Sequence, residues 1–400
     1  MPADLVEVRG ERLRLPEAGK TGGVRFASLQ VLNPGAGTTV PGALDAASVV
    51  VRSGAEVLHE NCDYLLDHGW AIVRVGPSGR IHPGDWITVD YRYSLRRLDS
   101  RIRLADGTEI IRRGQARLTN PEPPAVAADE RREANLFCDY FGDGLHPEVF
   151  PVTESSAQAV TRTSAGLIPR TLDKLRRGAP VKIVCWGDSV TVGFDASSPR
   201  RAYTGVFEEK LKQAFPAAAL QVVTVAVSGS HSAQWLHPTG GPCNWERVAA
   251  SHPDLITVEF VNDAGIKRDR FDQDYADIVA RGRSLGAEII FLTPHFTRPP
   301  MMGFASLSPG EVARVVPNAQ GAARTGPALL WQADPRPYVT WLADFAARHQ
   351  VAVADASSRW AHLGKEGLPY PTLLHNGINH PDDRGHQLFA EELMKCFASP

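Results

Sequence analysis

The chain of 400 residues lacks several things that would narrow its function at once. It has no uninterrupted apolar run of about eighteen residues, so no membrane-spanning helix is expected. Its N-terminus, Met1-Pro-Ala-Asp-Leu-Val-Glu-Val, has neither a basic start nor an apolar h-region. The expectation is a cytosolic protein, or a mature chain from which a signal has been removed. No block of like charge stands out and the formal net charge is −2, which argues against nucleic acid as a partner. The five cysteines are scattered, odd in number and free of any C-x-x-C pair, which argues against a disulfide framework and a structural zinc site. There is no His-Glu-x-x-His zinc motif.

What is present reads as two domains. Residues 1–120 hold short strand candidates such as Ser48-Val-Val-Val-Arg and Trp86-Ile-Thr-Val-Asp-Tyr-Arg-Tyr, separated by Gly/Pro/Asp turns. That spacing predicts a β-sandwich, either a structural or oligomerisation module or a carbohydrate-binding one. Residues 121–167 read as a connector opened by Asn120-Pro-Glu-Pro-Pro. Over residues 168–400 strands and helices alternate, which predicts a mostly parallel sheet with helices on both faces. A Gly/Pro-rich segment from Pro299 to Pro327 reads as a lid or substrate loop.

The chemistry gathers at the ends of the predicted strands. Val181-Lys-Ile-Val-Cys-Trp runs into Gly187-Asp188-Ser189. By itself this is either an ordinary turn or a serine lifted clear of the sheet at its carboxyl edge. Ser228-Gly229-Ser230-His231 follows the second strand, Asn262-Asp263 the third and His295 the fourth, and His380 precedes the last helix. A serine hydroxyl needs a histidine to take its proton, and the tetrahedral oxyanion needs fixed donors. Gly229 lets a backbone N–H approach, Asn262 offers a side-chain N–H, and the Ser189 N–H is a third donor. Asp188, His295 and Trp235 are candidates for substrate contact. His231 is another, and Trp235, Trp245 and Trp331 together could form a sugar-stacking surface; aromatics also serve as ordinary packing.

These blocks resemble the SGNH (GDSL) hydrolase family. Gly187-Asp188-Ser189, Ser228-Gly229, Asn262-Asp263 and Asn376-Gly-Ile-Asn-His380-Pro occur in the family's order over about residues 180–397. The resemblance implies a flavodoxin-like three-layer α/β/α domain and a serine esterase, often a deacetylase of carbohydrate, sometimes a lipase or thioesterase. It implies Ser189 as nucleophile, Gly229 and Asn262 as oxyanion donors and His380 as base, with no metal or cofactor and a small-molecule or saccharide ester as partner. Two positions depart from the pattern. Phe260 stands where a glycine is usual, and its bulk beside Asn262 should crowd an acyl tail. Position 377, where an Asp is usual, is Gly. Asn376 is the nearest candidate to orient His380, with Asp355, Asp382 or a bare Ser-His dyad behind it. A literal Asp-x-x-His occurs as Asp383-Arg-Gly-His386 and reads as a decoy. With the acid in question, a catalytically weakened glycan-binding protein remains an alternative, as does a lipase with Met301-Met-Gly-Phe-Ala lining an acyl channel.

Overall fold

A computed structural model describes residues 4–19, 22–31, 38–141, 147–302 and 333–398. These fall into two compact units, Met1–Thr153 with Gly367–Asn379, and Glu154–Glu366 with His380–Pro400. Most of the expected lid segment, and Trp331, lie outside the described residues.

The first unit is a β-sandwich in which all paired strands run antiparallel. One sheet orders Asp4–Arg14, Trp86–Leu95, Leu44–Ser53 and Glu56–Val57. Alternation along Trp86–Leu95 sends Ile87, Val89 and Tyr91 inward and Thr88 and Asp90 outward, as a half-buried strand requires. Those residues share one core with Tyr64 and Val73 of a smaller sheet ordered Val24–Arg25, Ile72–Val75 and Tyr64–Asp67. The stretch expected as a connector does not behave as one. Arg131–Cys138 and Glu148–Pro151 are strands that extend a second sheet beside Arg97–Arg103 and Glu109–Arg112. The charged start Arg131-Arg-Glu and a run of consecutive buried residues, in which Asn135 Oδ1 accepts from Ser100 Oγ at 2.6 Å, leave no apolar alternation to read. Asn135 also donates to the carbonyl of Gly367 at 2.6 Å, which ties the returning segment 367–379 into this unit.

The second unit is a doubly wound α/β/α domain. Five parallel strands stand in the order Leu220–Ala226, Val181–Gly187, Leu255–Glu259, Glu288–Leu292 and Ala352–Ala354. Parallel strands are covered on both faces, so their sequences are nearly continuous apolar runs. Alternation still sorts them. Val184, Trp186, Val258 and Phe291 face one core with Phe271, Tyr275 and Phe345. Ile183, Cys185, Leu255 and Ile290 face the other with Phe207, Phe389 and Leu393. The helices Arg268–Ser284 and Pro337–His349 cover the first face, and Pro169–Arg176, Tyr203–Ala214 and Asp383–Lys395 the second. The last helix begins at Asp383, because Asp382 caps it by accepting from Arg384 and Gly385. Among the described residues no helix is long and apolar enough to cross a membrane.

Candidate active site

The strand order reverses beside Val181–Gly187, and in such sheets that switch point at the carboxyl edge is where ligands bind. The chain leaves this strand through Gly187. A Cβ there would stand 2.1 Å from Thr191 Oγ1 and 2.3 Å from the Glu259 carbonyl, so only glycine fits. Asp188 then caps the short helix Ser189–Val192, its Oδ1 accepting from the Val190 N–H at 3.0 Å. Its Oδ2 accepts from Asn262, from the backbone N–H at 3.3 Å and from Nδ2 at 3.0 Å. Asp188 is fully buried, so it is a brace for Asn262 and not the substrate contact expected from the sequence.

Ser189, at the first position of that helix, meets His380. Their Oγ and Nε2 atoms are 2.9 Å apart. On the other side of the ring, Nδ1 lies 3.1 Å from Oδ2 of Asp195, whose side chain is wholly buried. An ionised carboxylate only accepts, which places the imidazole proton on Nδ1 and leaves Nε2 to accept from the serine hydroxyl. The Phe194 ring stands edge-on to His380, with centroids 5.5 Å apart. The residue at Nδ1 is therefore not Asn376. The side-chain Oδ1 of Asn376 accepts from the N–H groups of Ile378 and Asn379, both at 2.9 Å, and closes the turn before His380. Asp355 and Asp382 are equally engaged elsewhere, Asp355 with Ser358 and Arg162, Asp382 with Arg384.

The expected oxyanion donors sit at neighbouring strand ends. Gly229 adopts φ +74°, a left-handed turn that favours glycine, and is exposed. Asn262 is exposed at the third strand, but Nδ2 donates at 3.0 Å both to Asp188 Oδ2 and to the Ser230 carbonyl. Both Nδ2 hydrogens are thereby engaged within the fold.

Four other sequence candidates belong to the interior. Trp235 is fully buried, edge-on to Trp186, with Nε1 bonded to Ser230 Oγ at 2.9 Å, and offers no face to a sugar. Trp245 packs in the same core. His295 is fully buried between Trp360 and Phe389 and contacts no open surface. Phe260 also points into that core, 5.3 Å from Trp186, and does not narrow an acyl site. Phe260→Ala should accordingly cost about 3–5 kcal/mol of stability, the usual loss for a buried phenylalanine, and leave acyl-chain preference unchanged. Denaturant unfolding beside a chain-length series checks both. His231 is half-buried at the start of the helix Ser232–Leu236, where its N–H donates to Gln234.

A group that the sequence did not single out lies behind Ser189. Glu259 is fully buried, and its Oε2 accepts from Thr191 Oγ1 at 3.1 Å, which in turn lies 2.8 Å from Tyr203 Oη. Burial, and then the neighbouring Asp188, push its carboxyl well above the usual range. Burial likewise pushes up the carboxyls of Asp188 and Asp263. A folded-state pKa above the unfolded one means that folding takes up protons between the two, so stability falls as pH rises across that window. Glu259→Gln removes one such group. The melting temperature of the variant relative to the wild type should rise between pH 5 and pH 8, as read by thermal melts; a constant difference would mean that Glu259 does not titrate in this way.

A model of the GDSL-like Lipase/Acylhydrolase family matches residues 185–388, just over half of the chain. The chain belongs to that family. The match spans Ser189, Asp195, Gly229, Asn262 and His380. No curated protein matches. Among solved structures, a two-domain esterase active on acetylated mannans is 16% identical with a TM-score of 0.43. The alignment covers 59% of this chain and 53% of that one, so the chain spans about half of that esterase. An acetyl xylan esterase from Geobacillus stearothermophilus is 18% identical with a TM-score of 0.39, over 55% of this chain and 94% of that one. TesA is 16% identical with a TM-score of 0.36, over 53% and 96%.

Proposed function

We propose that this acylhydrolase is a serine carboxylic-ester hydrolase for small acyl esters, acetyl esters of a saccharide foremost. The observation that carries the reading is the continuous chain Ser189 Oγ to His380 Nε2 to Asp195. Ser189 Oγ attacks the ester carbonyl carbon while its proton passes to His380 Nε2. The carbonyl electron pair becomes an oxyanion, received by the N–H groups of Ser189 and Gly229 and by Asn262. Asp195 holds the Nδ1–H and stabilises the imidazolium. Collapse expels the alcohol, which takes the proton from Nε2 and leaves an acyl-serine. Water, deprotonated by the same histidine, attacks that ester and releases the acid and the free serine.

Two features support this over the alternatives. The glycan-binding reading rested on a missing acid, and Asp195 now stands where the acid is needed. The exposed groups at the neighbouring strand ends, namely Ser228, Gly229 and Asn262, are polar or small, which suits a hydrophilic alcohol. Hydrolysis of acetate through octanoate esters, together with acetylated glycans, tests the proposal. Acetate esters should be cleaved fastest and acetate released from the glycan. A rate rising steadily with chain length would make the enzyme a lipase or thioesterase, and no hydrolysis of any ester would sink the reading.

A further inference from the structure

We propose that Asp383 and His386 are positioning residues that clamp the turn carrying Asp195 and so set the acid against His380; this rests on Asp195 being the acid of the triad. The turn needs an external hold. Gly193 and Asp195 both lie in the left-handed region, at φ +92° and +66°. Glycine adopts that conformation freely, but for Asp195 it costs energy and persists only where the surroundings impose it. The Asp195 carboxylate does little to hold itself. Oδ2 bonds His380, while Oδ1 is buried with no hydrogen-bond partner among the described residues.

The hold comes from the first turn of the helix Asp383–Lys395, on both sides of Asp195. One residue before it, the Phe194 carbonyl lies 3.1 Å from His386 Nε2. Two residues after it, Ser197 donates its N–H to Asp383 Oδ1 at 2.8 Å and its hydroxyl to Oδ2 at 2.6 Å. Asp383 and His386 are three positions apart on the helix, so they share one face. The His386 ring is itself fixed. Nδ1 accepts from the Tyr203 N–H at 3.2 Å, and the ring stacks on Tyr203, so Nε2 carries the proton and donates to Phe194. Burial drives its pKa down to about 4, which keeps the ring in the neutral form that fits one donor and one acceptor. The Asp383-x-x-His386 pair is thus neither the catalytic pair nor a mere accident of spacing. It holds the loop that supplies the acid from another part of the chain.

The test is a mutant cycle on the full chain. Asp383 is half-buried, so Asp383→Ala should fold, as a thermal melt will report. It should lower kcat by about 10²-fold, the scale of an ångström-sized misplacement of a catalytic group, with KM nearly unchanged. The downfield proton signal of His380 Nδ1–H should broaden or shift. In an Asp195→Asn background the same change should cost almost nothing more, because residues acting through one group are not additive. Should Asp383→Ala fail to fold, Ser197→Ala removes the hydroxyl bond from the exposed side of the clamp. It should show the same pattern with a smaller loss. An unchanged kcat in the folded variant, or an equal loss in both backgrounds, overturns the clamp. If Asp195→Asn is itself silent, the triad assignment has failed instead, and the two failures are distinguished.

Discussion

Asp195→Asn should lower kcat by about 10⁴ while leaving KM close to the wild-type value. That is the cost of the corresponding change in a serine protease, where the amide favours the wrong imidazole tautomer and leaves the imidazolium without a counter-charge. The same logic applies because Asp195 Oδ2 is the group at His380 Nδ1 and its side chain is wholly buried. Asn376→Ala provides the contrast. It opens the turn closed by the N–H groups of Ile378 and Asn379, so it should cost stability and far less turnover. Steady-state kinetics on a short-chain ester separates the two. A loss below about tenfold for Asp195→Asn would put the acid elsewhere or leave a bare dyad.

His380→Ala should be more severe, on the order of 10⁶ in kcat, because the serine then has no base at Nε2. His386 is its foil. It has no bond to Ser189; it joins Tyr203 to Phe194 inside the fold. His386→Ala should therefore destabilise the protein and lower kcat only through the position of Asp195. If both variants were equally dead while folded, the literal Asp383-x-x-His386 pair would have to be reconsidered as catalytic.

Much of this site could be read from the chain. An apolar run broken by Gly187-Asp188-Ser189 signals a strand end, and the later strand ends bring Gly229, Asn262 and His380 to the same edge. The acid was not legible, for a physical reason. The family position before His380 is Gly377, which has no carboxylate to offer. The carboxylate comes instead from a left-handed turn six residues after the nucleophile, a pairing that only folding creates. The one available signal was an Asp in a glycine-containing turn directly after Ser189–Val192. Trp235, His295 and Phe260 failed in another way. Strand-end position says where a backbone lies, but side-chain direction decides whether it faces the cleft or the core, and all three face the core. In the first unit, Arg131–Cys138 carries no apolar alternation, because its first three residues are charged and its buried residues Ala134, Asn135, Leu136 and Phe137 are consecutive.

The central claim is that Ser189 becomes acylated. A fluorophosphonate probe, followed by peptide mapping, tests it most directly. The wild type should carry one phosphonyl group on Ser189, and Ser189→Ala should carry none and hydrolyse no ester. Labelling at another residue, or labelling and hydrolysis that survive in Ser189→Ala, would contradict the account.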